Sequence, residues 1–141
     1  MYSTVTPTEA KRLIDEEGYT YLDVRTVEEF EASHADGAAN IPVVFAGMAP
    51  NPNFLPVVQA NYPTDARLVV ACRSGGRSAR AADILTRAGY ESVANMDGGF
   101  HGRYDPMGSL VQAGWAQEQL PVSTESAEGT TYASLAARRN A

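Results

Sequence analysis

Leu68-Val69-Val70-Ala71-Cys72-Arg73-Ser74-Gly75-Gly76-Arg77-Ser78 joins an unbroken apolar run to a cysteine, two glycines and two arginines. The apolar run reads as a central strand of a parallel sheet, covered on both faces. The stretch Arg77 to Ala88, with Ala79, Ala82, Ile84 and Leu85, reads as a helix that ends near Gly89. Strand, glycine turn and helix in that order bring a helix N-terminus to the thiol. Backbone N–H groups turned inward by Gly75 and Gly76, the helix dipole, Arg73 and Arg77 then attract an anion and favour negative charge on sulfur. Cys72 is therefore the candidate nucleophile. An inert buried cysteine beside a turn is the plain alternative, and the glycine pair with Arg77 argues against it.

Outward from this stretch, short strands and helices alternate. Thr6-Pro7-Thr8-Glu9 opens a helix to about Glu17, with Thr6 as cap, proline in the first turn and Glu9 completing a capping box. Tyr19 to Val24 reads as a strand, and Thr26-Val27-Glu28-Glu29-Phe30 begins a second capped helix running to about Ser33. Ala38 to Pro42 reads as a short strand. Val43 to Pro63, with four prolines, reads as a surface excursion with a helical patch near Phe54–Tyr62. Glu91 to Met96 is the next strand, followed by Asp97-Gly98-Gly99-Phe100. This order predicts an α/β domain: a central, mostly parallel sheet with helices on both faces, and a ligand site at the carboxyl ends of the strands. Asp23, Cys72 and Gly98 each follow a predicted strand, so one cleft gathers them.

The domain is expected over residues 1–121. Residues 122–141, rich in Ser, Thr, Ala and Glu, are expected as a mobile or loosely docked extension with a short helix at Tyr132–Arg139.

At 141 residues, 44% apolar and 20% charged, the chain is an ordinary globular domain with room for one core. A net charge of −6 argues against nonspecific binding to nucleic acid or an anionic membrane, so positive charge for an anionic substrate has to be local. One cysteine excludes an internal disulfide, a multi-cysteine metal site and a dithiol cycle. No metal or cofactor is expected. Met1 to Pro7 shows no leader pattern and no apolar stretch is long enough to span a membrane, which makes a cytoplasmic protein the simplest expectation.

Four stretches, in order, resemble the rhodanese (sulfurtransferase) homology family over roughly Ser3 to Pro121. Leu22-Asp23-Val24-Arg25 with Glu28-Glu29-Phe30 is similar to its first signature, and His34-Ala35-Asp36-Gly37-Ala38 to its His-x-x-Gly-Ala segment. Cys72 to Ser78 resembles the active-site loop, and Met96-Asp97-Gly98-Gly99-Phe100 the Gly-Gly segment after the last core strand. Four residues separate Cys72 from Arg77, the compact spacing that in this family goes with a sulfane-sulfur pocket. Phosphatases and arsenate reductases of the same fold have one residue more, and the second cysteine is missing here. Where the family usually has tryptophan, four positions after the Gly-Gly pair, this chain has Arg103. Trp115 looks like that tryptophan, displaced by an insertion, Gly102 to Gln112, that borders the site and bears on acceptor choice.

The resemblance implies that Cys72 takes sulfur from a small anionic donor such as thiosulfate, becomes a persulfide, and passes it to a thiophilic acceptor: cyanide, a thiol or a protein thiol. Loop amides stabilise the charge in both steps. A persulfide carrier in a protein relay, with little turnover on thiosulfate, is the alternative. Arg73, Ser74, Gly75, Gly76, Arg77 and Ser78 are the candidate substrate-binding residues. Arg73 either clamps the donor or faces solvent. Arg77 holds the loop and favours anions, or is purely structural. Ser78 either donates to the persulfide or satisfies its own helix turn. Asp23 and Arg25 support the loop, with Asp23 expected to pair with Arg77, and Gly98 and Gly99 allow close backbone approach. His34 is expected to be structural.

Overall fold

Residues 1–139 are described by a computed structural model. The chain opens with a strand, β1 (Ser3–Val5), that its sequence does not announce: too short and too exposed to alternate, it lies parallel to a later strand, pairing Val5 with Met96. Helix α1 (Pro7–Glu16) follows, and its capping box is complete: Thr6 accepts the Glu9 N–H at 3.2 Å while Glu9 accepts the Thr6 N–H at 2.9 Å. Strand β2 (Thr20–Asp23) leads into α2 (Val27–Ala32), capped in the same way by Thr26 and Glu29. Two short strands, β3 (His34–Ala35) and β4 (Ala39–Asn40), precede α3 (Phe54–Asn61). The central strand β5 (Arg67–Ala71) runs into α4 (Gly76–Arg87), and β6 (Ser92–Met96) follows.

All of these strands except β3 form one sheet in the order β1-β6-β5-β2-β4, every neighbour parallel. Side chains alternate across it. Leu68, Val70 and Cys72 enter a core covered by α3 and α4, whereas Val69 and Ala71 enter one covered by α1 and α2. Helices therefore lie on both faces, as the alternating elements predict. Each Leu, Val or Phe so buried contributes about 1.5–3 kcal/mol. The register sets Asp23 opposite Ala71, one residue before Cys72, so β2 and β5 deliver their carboxyl ends to one edge of the sheet.

The segment after Pro42 matches the expected surface excursion only in part: residues 45–50 are exposed, Phe45 and Met48 among them. Val43, Val44, Phe54, Val57 and Val58, by contrast, are buried in the first core, because the prolines turn the chain back toward the sheet on either side of the exposed stretch. The insertion forms a small hairpin, β7 (Arg103–Tyr104) and β8 (Leu110–Gln112), apart from the main sheet.

Residues 122–139 are fastened at several points where the composition led us to expect a loose extension. Strand β9 (Val122–Ser123) pairs antiparallel with β3, and the Asn40 N–H donates to the Thr130 carbonyl at 2.9 Å. Helix α5 (Tyr132–Arg139) buries Leu135 in the first core, with Tyr132 and Ala136 packed beside it. Three apolar residues at helical spacing suffice in a segment otherwise polar. Residues 140 and 141 of the expected extension lie outside the described residues. No helix among the described residues is long and apolar enough to cross a membrane.

Candidate active site

Cys72 stands one residue beyond β5, 2% exposed, with the loop 73–75 folded over it. Its Sγ accepts the Gly75 N–H at 3.0 Å. Gly75 makes this turn at φ 130°, a region that disfavours side chains, and serves as N-cap of α4 with no side-chain partner for the helix's first amides. Gly76 begins the helix. The positive end of a twelve-residue helix thus points at sulfur. From the first turn, Ser78 Oγ lies 3.4 Å from Sγ, 3.1 Å from the Gly75 carbonyl and 2.6 Å from Asn95 Oδ1. A hydroxyl has one proton for these three acceptors, and the shortest contact directs it to Asn95. The hydroxyl is thus within reach of both sulfur and its own helix turn, but Asn95 competes with each for its proton.

Asn95 was not singled out from the sequence. Its signal was a polar side chain in the buried strand β6, on the face shared with Val93. Its amide also reaches the Gly75 carbonyl at 3.5 Å.

The arginines do not pair as expected. Asp23 binds Arg25, not Arg77: Nε meets Oδ1 at 3.0 Å and Nη2 meets Oδ2 at 2.8 Å, both side chains being 1–2% exposed. Arg25 also donates to the Ser33 carbonyl at 2.7 Å and lies 4.5 Å above the Phe100 ring. Burial alone would lower its basicity, but the hydrogen bonds and charge of Asp23 raise it on balance. Two residues apart at the end of a strand, the pair closes on itself and leaves nothing for Arg77.

Arg77 instead binds Glu29, in the first turn of α2, at 2.6 and 3.0 Å. Burial pushes the Glu29 carboxyl up, and the hydrogen bonds from Arg77 and from the Thr26 backbone, with the Arg77 charge, bring it down to about 2. Arg77 is thus a tether between the first turns of α4 and α2, its fork filled by a carboxylate. The sequence reading places Glu29 in a capped helix start and in the first signature, with no partner assigned to it.

Arg73 is exposed, and among the described residues its guanidinium has no hydrogen-bond or ion-pair partner. With Ser74, His101, Gly102, Tyr104 and Gln117 it lines a groove of about 610 Å³, so the insertion does border the loop. His101, the other histidine of the chain, was passed over in the sequence. Burial, then Arg25 and Arg73, lower its pKa, keeping the imidazole neutral at pH 7. Gly99 permits the close approach expected of it: a Cβ there would strike the Cys72 carbonyl and Arg73 backbone, and the Phe100 N–H donates to Cys72 O at 2.8 Å. Gly98 packs instead against Ala113 and Gln112. His34 donates from Nδ1 to the Phe30 carbonyl at 2.7 Å and stacks on that ring at 3.8 Å, a structural placement away from sulfur. Trp115 is buried edge-on to Tyr21, its indole N–H on the Pro121 carbonyl.

The family model for the rhodanese-like domain matches residues 6–104. A mitochondrial protein of Arabidopsis thaliana named High Arsenic Content 1 is 44% identical over an alignment of 107 positions that covers 74% of this chain and 59% of that protein. This chain therefore spans little more than half the length of that relative. Thiosulfate sulfurtransferase 16, chloroplastic, from the same plant is 38% identical over 74% of this chain and 79% of its own. Thiosulfate sulfurtransferase 18 is 33% identical over 89% and 86%. Among solved structures, Rv0390 from M. tuberculosis superposes with a TM-score of 0.75 at 28% identity, covering 89% of this chain and all of that one.

Proposed function

The chain belongs to the rhodanese-like domain family, and from that premise we propose that it transfers sulfane sulfur from thiosulfate or a similar anionic donor through a persulfide on Cys72. The Cys72 thiolate attacks the outer sulfur of thiosulfate. The new S–S bond forms as the bond to the sulfonate sulfur breaks, and sulfite departs with that electron pair. A thiophilic acceptor then attacks the outer sulfur of the persulfide and Cys72 leaves as thiolate. Charge on sulfur is negative before and after each step, so the loop needs no proton relay. It needs a fixed anion cradle.

The observation that carries this reading is the Gly75 N–H set 3.0 Å from Sγ at the head of α4. It is a preorganised donor at the atom where charge rests. The names of two relatives as thiosulfate sulfurtransferases support the choice of donor.

Intact mass after incubation with thiosulfate tests it. We expect a gain of one sulfur atom, reversed by cyanide with release of thiocyanate, and no gain in Cys72→Ser. Repeated turnover on thiosulfate and cyanide supports a transferase. A single loading that discharges only onto another protein supports the carrier reading. Equal turnover by a folded Cys72→Ser variant would sink both.

A further inference from the structure

Beyond the transfer itself, which this inference presupposes, we propose that the groove between the catalytic loop and the β7–β8 hairpin is the acceptor subsite, and that it takes a small thiol bearing carboxylates.

Three features of the groove argue for this. The first is position. Its wall at the sulfur end is Arg73 and Ser74, the two residues that follow Cys72. The His101 N–H donates to the Arg73 carbonyl at 2.9 Å, so the far wall is sewn to the loop one residue from the nucleophile. The second is size. At about 610 Å³ it lies in the range of small-molecule sites, and a tetrahedral dianion would leave most of it to water. Thiosulfate does not need this space, and a peptide-sized thiol does.

The third is chemistry. Arg73 brings a guanidinium with no partner among the described residues, the fork that binds carboxylates. His101, neutral at pH 7, adds a hydrogen-bonding ring rather than a second charge. Opposite, Gln117 donates to the Tyr104 hydroxyl at 2.6 Å while its Oε1 accepts the Gly114 N–H at 2.8 Å, which fixes both side chains. Tyr104, half exposed and paired across the hairpin with Leu110, offers its ring to a thiol's carbon skeleton. The hairpin is held in place from its base, where Arg103 binds Asp97 at 2.8 and 3.1 Å. Gly102 turns at φ 98°, a left-handed conformation that favours glycine, and a Cβ there would press on the Gln117 and Leu110 side chains. A built wall, an open cation and a volume beyond the donor's needs converge on the second substrate.

In this subsite the acceptor thiolate attacks the outer persulfide sulfur, the Cys72–sulfur bond breaks, and the acceptor leaves as its own persulfide. No oxidant or reductant is consumed.

Discharge of preloaded persulfide separates this step from loading. Wild-type protein is charged with thiosulfate, freed of donor, and titrated with glutathione, with cysteamine (whose charged group besides the thiol is an ammonium) and with cyanide. We expect half-maximal discharge at a lower concentration of glutathione than of cysteamine. Tyr104→Ala and Gln117→Ala should raise the glutathione requirement about tenfold, the loss of roughly one hydrogen bond and its packing, with loading and cyanide discharge unchanged. Tyr104→Phe, which keeps the ring, should recover part of the loss. Arg73→Gln should erase the preference for glutathione over cysteamine. Cysteamine performing as well as glutathione in wild type overturns the proposal. So does a parallel loss on glutathione and cyanide, or no loss on either, in the hairpin variants. Failure of wild type to load would instead overturn the function proposed above.

Discussion

Asp23–Arg25 and Glu29–Arg77 are both two-pronged ion pairs beside Cys72, yet they are built in opposite ways. The first joins residues two apart at a strand end and is sealed from water. The second joins two helices 48 residues apart and stays partly wet, its side chains 17% and 31% exposed. A sealed pair has already lost its hydration, so it tolerates no missing member. A wet pair lets water replace a lost partner at modest cost. The first pair therefore secures the frame, whereas the second adjusts how tightly the helix over the sulfur is held.

Removing Arg25 should have the largest effect. Arg25→Met leaves Asp23 charged in a dry site and takes the donor from the Ser33 carbonyl, so we expect a loss of about 3–5 kcal/mol by urea unfolding. The double variant Asp23→Leu/Arg25→Met should recover much of that, because no lone charge remains. A double variant as unstable as the single one would show that the frame depends on the ions themselves.

Glu29→Gln should cost less, about 1–3 kcal/mol, since an amide oxygen still meets Arg77. It also gives the comparison a pH axis. The Glu29 carboxyl is held down to about 2 in the fold against 4.5 when free, so its contribution is fully present above pH 4.5 and is lost as pH falls toward 2. The gap between wild type and Glu29→Gln should be flat from pH 7 to 5 and close below 4.5. Urea midpoints across that range test it; a gap persisting at pH 2 would assign the effect to packing. Sulfur transfer should slow severalfold in the variant while the fold holds, because the first turn of α4 loses its tether.

The smallest effect belongs to Arg103–Asp97, which is largely exposed. Its hydrogen bonds lower the Asp97 carboxyl, yet Arg103→Ala should melt close to wild type, and closer still in high salt. A larger loss in a thermal melt would mean that the hairpin supports the core as well as the groove.

These pairs also mark what the sequence discloses. The loop from Cys72 to Ser78 is legible because its chemistry is local: a strand, two glycines and a helix start within seven residues fix where the amides point. The α/β order and both capping boxes are legible for the same reason. The partner of Arg77 is not, because Glu29 has a sufficient local explanation as a capping residue and nothing along the chain reveals its second role. Asp23 looked free for Arg77 because a bond between residues two apart requires the chain to turn sharply after β2. Asn95 is hidden by its strand, where one polar residue among apolar neighbours has no periodicity to betray it. The burial of α3 and α5 is obscured by prolines and by a polar composition, although Tyr132, Leu135 and Ala136 carry the stripe that docks the tail.

The bond from Asn40 to Thr130 has a meaning apart from catalysis. β4 is the last strand of the sheet, and the Asn40 amide points away from β2, toward the side where another strand would dock. A bare parallel edge is a template for stray chains to add to, and aggregates grow that way. By setting the Thr130 carbonyl on that margin and packing α5 beside β4, the polypeptide covers part of its own edge. The polar composition of the segment suits a cover whose outer face meets solvent.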